Sequence, residues 1–135
     1  MKVNHIMSKN VVTVEMDDSL GKVKDIFLNN MFHHLLVVED KQLYGIISDR
    51  DLLKSLSPRI DTAAETIKDL AYLNKKVHQI MTRSPIVLNE NAKVTEAIAL
   101  FNQHKISCIP IINDDSIPVG MLSWRDIMRV LIKKT

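Results

Sequence analysis

Two stretches, Gly45-Ile-Ile-Ser48-Asp-Arg50-Asp51 and Gly120-Met-Leu-Ser123-Trp-Arg125-Asp126, decide how this chain is read, because they are one pattern written twice, 75 residues apart. A repeated Gly-x-x-Ser-x-Arg-Asp closer signals internal duplication, and a duplication fixes an architecture before any single helix or strand is assigned. Downstream of the closers, Leu56 recurs as Leu131 at the same spacing. Upstream, Lys2, Val3, Ile6, Met7, Phe27 and Asp40 recur 74 positions later as Lys76, Val77, Ile80, Met81, Phe101 and Asp114, so a one-residue insertion separates the two registers near Pro118. Val12 with Ile86, Val37 with Ile111 and Lys54 with Arg129 fall in line as conservative pairs. The chain is a tandem duplication: residues 1–56 form one repeat, 76–135 the other, and 57–75 join them.

Within each repeat the hydrophobic period switches in the same order. Val11 to Val14 is a short β-branched stretch, and Asp17, Asp18 and Ser19 then offer N-cap oxygens to a helix carrying Leu20, Val23, Phe27 and Met31 on one face. A strand from Leu35 to Val38, a turn at Glu39 to Gln42, a strand from Leu43 to Ser48 and a helix from about Asp51 to Leu56 complete the first repeat. In the second, Ile86 to Leu88, a helix with Val94, Ala97, Ile98 and Phe101, strands near Ile109 to Ile112 and Val119 to Ser123, and a helix reaching Leu131 follow the same plan. Each repeat reads β-α-β-β-α, and the fold class is α+β. The joining segment carries Thr62-Ala-Ala-Glu65, a capping-box pattern, followed by Ile67, Leu70, Ala71 and Leu73, which predicts a helical connector. A repeat of this size cannot cover both faces of its own sheet, so the two are expected to pack as a pseudo-two-fold pair through their sheets. The Gly45 and Gly120 loops are expected to open near a shared cleft, where a small ligand would sit.

Composition narrows the function classes. The chain has 135 residues, 46% hydrophobic and 25% charged, with three Gly and four Pro, which excludes a disordered or collagen-like chain. A net charge of +2 without long basic runs argues against a dedicated nucleic-acid binder. The single Cys108 allows no internal disulfide and fits a reducing compartment, so cytoplasm is expected. The opening MKVNHIMSKN holds no apolar stretch suited to a signal peptide or a membrane span, and none is expected to target or anchor the chain.

The closers carry the candidate chemistry. Each stands where a strand ends and a helix begins, a place where backbone N–H groups favour an anion. The Ser48 and Ser123 hydroxyls can add a hydrogen bond, and Arg50 and Arg125 can grip a phosphate with a planar fork. Asp51 and Asp126 can accept two hydroxyl donors, as a carboxylate does when it holds a ribose. The same Ser-x-x-Asp is also a capping box, which needs no ligand, and the residues alone leave the two readings balanced.

The ordered, doubled set of Val3-x-x-Ile-Met7 and Val77-x-x-Ile-Met81, His34-Leu-Leu-Val-Val-Glu39 and Cys108-Ile-Pro-Ile-Ile-Asn113, and the two closers resembles the tandem cystathionine-β-synthase (CBS) domain pair, or Bateman module, along essentially the full length. Ser57-Pro-Arg and the connector make it look nearest to small bacterial CBS proteins of the acetoin-utilisation type. The resemblance implies a regulatory module that binds AMP, ADP or ATP, or S-adenosylmethionine or NAD, and signals to a partner protein whose identity it does not give. It also implies sites shared between repeats. One would combine Thr13, Phe32, His33 and Leu36 with Ser123, Arg125 and Asp126; the other would combine Val87, Ile106, Ser107 and Pro110 with Ser48, Arg50 and Asp51. Leu36 stands where the family often has proline, and Val87 replaces the threonine seen at Thr13, so the first site is favoured.

Other conspicuous residues do not point to a metal or to catalysis, and His33 reads as a base or phosphate contact or simply as surface. His33 and His34 are adjacent at a strand entry and point to opposite faces, and adding His5, His78 or His104 gives no zinc spacing, so no metal site is expected. Trp124 reads as core or interface packing and Cys108 as an inert buried thiol. No catalytic triad, Walker motif or carboxylate pair is present, and the chain is expected not to be an enzyme and to need no catalytic cofactor. Apolar helix positions such as Ile26, Ile127 and Leu131 predict a homodimer. The alternative class is a structural dimerisation module without a ligand.

Overall fold

In the computed structural model, residues 1–55, 67 and 71–134 are described. They divide into two compact units, one made of residues 12–40 and 44–84 and the other of 1–11, 41–43 and 85–135. These units are not the two sequence repeats cut at the connector. Each unit takes the opening Val-x-x-Ile-Met segment from the other repeat.

The first unit is built on a sheet of order β1-β2-β3-β4, comprising Thr13–Glu15, His34–Glu39, Gln42–Ser48 and Thr82–Arg83. β1 runs parallel to β2, with Thr13 opposite Leu36 and Val14 opposite Val37. The β2–β3 turn is only Asp40 and Lys41, both at positive φ, the geometry that matches the twist of a two-residue hairpin. Between β1 and β2 lies helix α1, Leu20–Leu28, and Ser19 caps it by accepting the Lys22 N–H at 3.2 Å. Asp18 does different work, accepting the Glu15 N–H at 2.7 Å and pairing with Lys22 at 3.2 Å. After β3, helix α2 covers Asp49–Ser55. The core joins Val14, Leu20, Val23, Leu35, Val37, Ile47 and Leu52 with Val77 and Met81.

The second unit repeats this plan. Its sheet has the order β5-β6-β7, from Leu88–Asn89, Cys108–Ile112 and Pro118–Ser123, with helix α3, Val94–Gln103, and helix α4, Trp124–Lys134. β5 is parallel to β6, and β6 is antiparallel to β7 with Cys108 opposite Ser123. Val3 joins Ala97, Phe101, Ile109, Ile111, Leu122 and Ile127 in its core. The exchanged segments bond alike: the Val77 N–H donates to Asp18 C=O and the Val3 N–H to Ala92 C=O, each at 2.8 Å. Ile46 pairs with Thr82 in β4, and Met121 pairs with Ser8 as an isolated bridge at the matching register.

Four expectations need correction. Met31 does not lie on the α1 face: the helix stops at Leu28, Asn29 caps it, and Met31 is exposed. Gly45 and Gly120 are not in loops but are buried within β3 and β7, because the exchanged methionine of each unit packs on them. Ile127 is not a surface position but part of the core, whereas Leu131 is half exposed. The α2 helix begins at Asp49 rather than Asp51. Within the connector, Ile67 and Ala71 are exposed and Leu73 is half-buried, while Thr62 to Glu65, Leu70, Leu56 and Ser57-Pro-Arg lie outside the described residues.

Candidate functional site

Ser48 ends β3 and Asp49 opens α2, so the first closer spans a strand-to-helix junction. The Ser48 N–H donates to Asp51 Oδ2 at 2.9 Å and the Asp51 N–H to Ser48 Oγ at 3.1 Å. Two amides that the helix start leaves over are thus satisfied reciprocally, which is a capping box with aspartate in its acidic position. The second closer is built alike: the Ser123 N–H donates to Asp126 Oδ2 at 2.9 Å, the Ser123 hydroxyl to the same oxygen at 3.2 Å, and the Asp126 N–H to Ser123 Oγ at 3.4 Å. Capping therefore engages one oxygen of each carboxylate. Asp126 Oδ1 lies 3.5 Å from the Arg129 guanidinium. The Arg50 and Arg125 side chains are exposed and form no ion pair among the described residues. Each closer thus holds a serine and an aspartate fixed by a capping box, with an exposed arginine just before the aspartate in sequence.

The β2 entry adjoins the first closer. The Asp49 N–H donates to His33 C=O at 3.0 Å, and His33 Nδ1 lies 2.8 Å from Asp49 Oδ2. That hydrogen bond from His33 holds the Asp49 carboxyl below the usual carboxylate range. His34, half-buried, has its imidazole pushed below its ordinary value by burial, against a smaller opposing pull from Asp49. Phe32 packs edge-on to Phe27 with ring centroids 6.2 Å apart. Thr13 is exposed at the start of β1, and Leu36, its β2 partner, is fully buried.

In the second unit, Val87 and Ile106 are half-buried, Ser107 is exposed, and Pro110 is buried. Opposite Cys108 stands Ser123, which brings the strand entry after Ser107 next to the second closer. Thr13, Phe32, His33 and Leu36 therefore share a unit with Ser48, Arg50 and Asp51, and Val87, Ile106, Ser107 and Pro110 share the other with Ser123, Arg125 and Asp126. Trp124 packs on Phe101, centroids 4.8 Å apart, and stays partly exposed. Burial pushes the Cys108 thiol up to about 12, consistent with an inert group. Among the described residues, no three His, Cys, Asp or Glu side chains could hold a metal together. Sequence reasoning missed Asp49, and its only signal there was an acid directly after a closer serine, in one repeat alone.

The CBS domain profile matches residues 3–58 and 77–133, one copy to each repeat. The chain belongs to the CBS domain family. It is 32% identical to a CBS domain-containing protein of Dictyostelium discoideum over 97% of this chain and 91% of that one. It is also 29% identical to uncharacterized protein MJ1404 of Methanocaldococcus jannaschii over 97% of its own length, and spans 44% of that relative. Among solved structures, the CBS domain pair of protein MJ0100 in complex with 5′-methylthioadenosine and S-adenosyl-L-methionine is 26% identical, with a TM-score of 0.79 over 100% of this chain and 98% of that one. The acetoin utilization protein AcuB from Vibrio cholerae shares the fold at 22% identity, with a TM-score of 0.78 over 98% of this chain and 91% of that one. The α+β fold of a CBS pair is thereby shown. No helix among the described residues is long and apolar enough to cross a membrane.

Proposed function

We propose that this CBS pair is a regulatory module that binds an adenosine-containing ligand, AMP, ADP or ATP foremost and S-adenosylmethionine or NAD as relatives of the same class, and passes its occupancy to a partner protein. The observation that carries the reading is the pair of closers, each with an exposed arginine next to an aspartate whose cap bonds use Oδ2. The ligands held by the MJ0100 pair, both adenosine derivatives, support the class. The module performs no chemistry of its own, and it works in a reducing cytoplasm. Leu131, Met128 and Ile132, exposed on α4, give it a surface for homodimerisation. Its binding residues are the closers with Thr13, Phe32, His33 and Leu36, and Val87, Ile106, Ser107 and Pro110.

A thermal melting screen tests this. A ligand that binds only the folded chain raises stability by RT ln(1 + [L]/Kd), about 2.7 kcal/mol at a hundredfold excess over Kd. AMP, ATP or S-adenosylmethionine should raise the melting temperature by several degrees, and GMP should not. The second reading, a structural module without a ligand, is favoured by the completeness of the capping boxes, and it predicts no shift with any of them.

A further inference from the structure

The two closers differ at the residue that follows the serine. In the first repeat this is Asp49, whose carboxylate is held 2.8 Å from His33 and is partly exposed. In the second it is Trp124, whose ring lies on Phe101. In sequence, the first closer carries Arg50 and Lys54 with Asp49 and Asp51; the second carries Arg125 and Arg129 with Asp126 alone. The first closer therefore carries one more carboxylate. Its His33 neighbour corresponds to Ser107 in the second repeat, so the additional acid and the imidazole that holds it occur together on one side only.

On the reading proposed above, we infer that Asp49 and Trp124 set the charge of the adenosine ligand each closer accepts, a phosphorylated one at Ser123-Trp-Arg-Asp126 and an uncharged or cationic one at Ser48-Asp-Arg-Asp51. A phosphate gripped by Arg50 would meet the Asp49 carboxylate as a like charge; one gripped by Arg125 would not. A like charge held near a bound phosphate at a protein surface changes affinity by about tenfold. An uncharged nucleoside does not feel this difference.

Calorimetric titration of the whole chain with AMP and with 5′-methylthioadenosine decides it, with Asp51→Ala and Asp126→Ala marking which closer each ligand uses. AMP should be lost with Asp126→Ala and barely altered by Asp51→Ala. Asp49→Asn should strengthen AMP at the first closer about tenfold and leave 5′-methylthioadenosine within twofold, and Trp124→Asp should weaken AMP at the second by about the same factor. Since Trp124→Asp also removes the Phe101 contact, the isosteric Asp49→Asn variant decides alone if the other fails to fold. Binding of both ligands with an AMP to 5′-methylthioadenosine affinity ratio unmoved by Asp49→Asn overturns the charge assignment and leaves the adenosine reading standing. No binding of either ligand overturns both.

Discussion

Asp51 and Asp126 each serve as a helix cap and, on the proposed reading, as a ribose acceptor. The two roles separate by measurement. Asp51→Ala and Asp126→Ala should each cost about 1 kcal/mol in urea unfolding, the usual worth of a cap. Each should also lower affinity at its own closer by about tenfold to a hundredfold, the loss expected when a hydrogen bond to a charged group is removed. For AMP the larger effect belongs to Asp126. His34 gives a second residue-level expectation. Burial lowers its imidazole pKa in the folded chain, so the unfolded chain takes up the proton first. The stability that neutral His34 contributes is present above the unfolded value of about 6.5 and is lost as pH falls below it. Urea midpoints should therefore drop between pH 7.5 and 5.5, and His34→Gln should flatten that slope. An unchanged slope in the variant would assign the pH dependence to other groups. The doubled serine, arginine and aspartate were legible because they recur in register. The Asp49–His33 bond was not, since it joins residues 16 apart in sequence and has no counterpart in the second repeat.

At the scale of elements, the helices and long strands followed from periodicity, and the short ones did not. Thr82–Arg83 is too brief to show a period, and it becomes a strand only because β3 offers it an edge. The close approach there explains the glycines. A Cβ on Gly45 would stand 2.7 Å from Met81 Sδ and 2.9 Å from the Thr82 carbonyl oxygen. On Gly120 it would stand 2.9 Å from the Ser8 carbonyl oxygen and overlap Met7. A methionine end can swing away, but a carbonyl held in a strand pair cannot do so without moving backbone. Gly45→Ala and Gly120→Ala should each destabilise the fold by about 1 to 3 kcal/mol, the usual cost of overpacking, read as a lowered denaturation midpoint. Wild-type midpoints for both would contradict the role given to these contacts. The α1 boundary was overrun for a local reason: Met31 keeps the helical spacing, but Asn29 and Asn30 turn their side-chain amides back to the Asp25 and Ile26 carbonyls and end the helix first.

For the whole molecule, duplication was the most legible property, because it rests on identities spread along the chain. The exchange of opening segments was not legible. Val3 and Val77 read equally well as the first core residue of their own repeat, and only the structure puts Val77 with Leu20 and Leu35, and Val3 with Ile109 and Leu122. The central claim concerns the molecule as a sensor, and calorimetric titration with AMP of the wild-type chain and of the Asp51→Ala/Asp126→Ala double variant, its fold checked by circular dichroism, tests it most directly. The account predicts saturable binding by the wild type and a loss of at least tenfold in the folded double variant. Equal affinity in the two proteins, or no heat of binding in the wild type up to millimolar AMP, would contradict it and leave the Ser-x-Arg-Asp closers as helix caps alone.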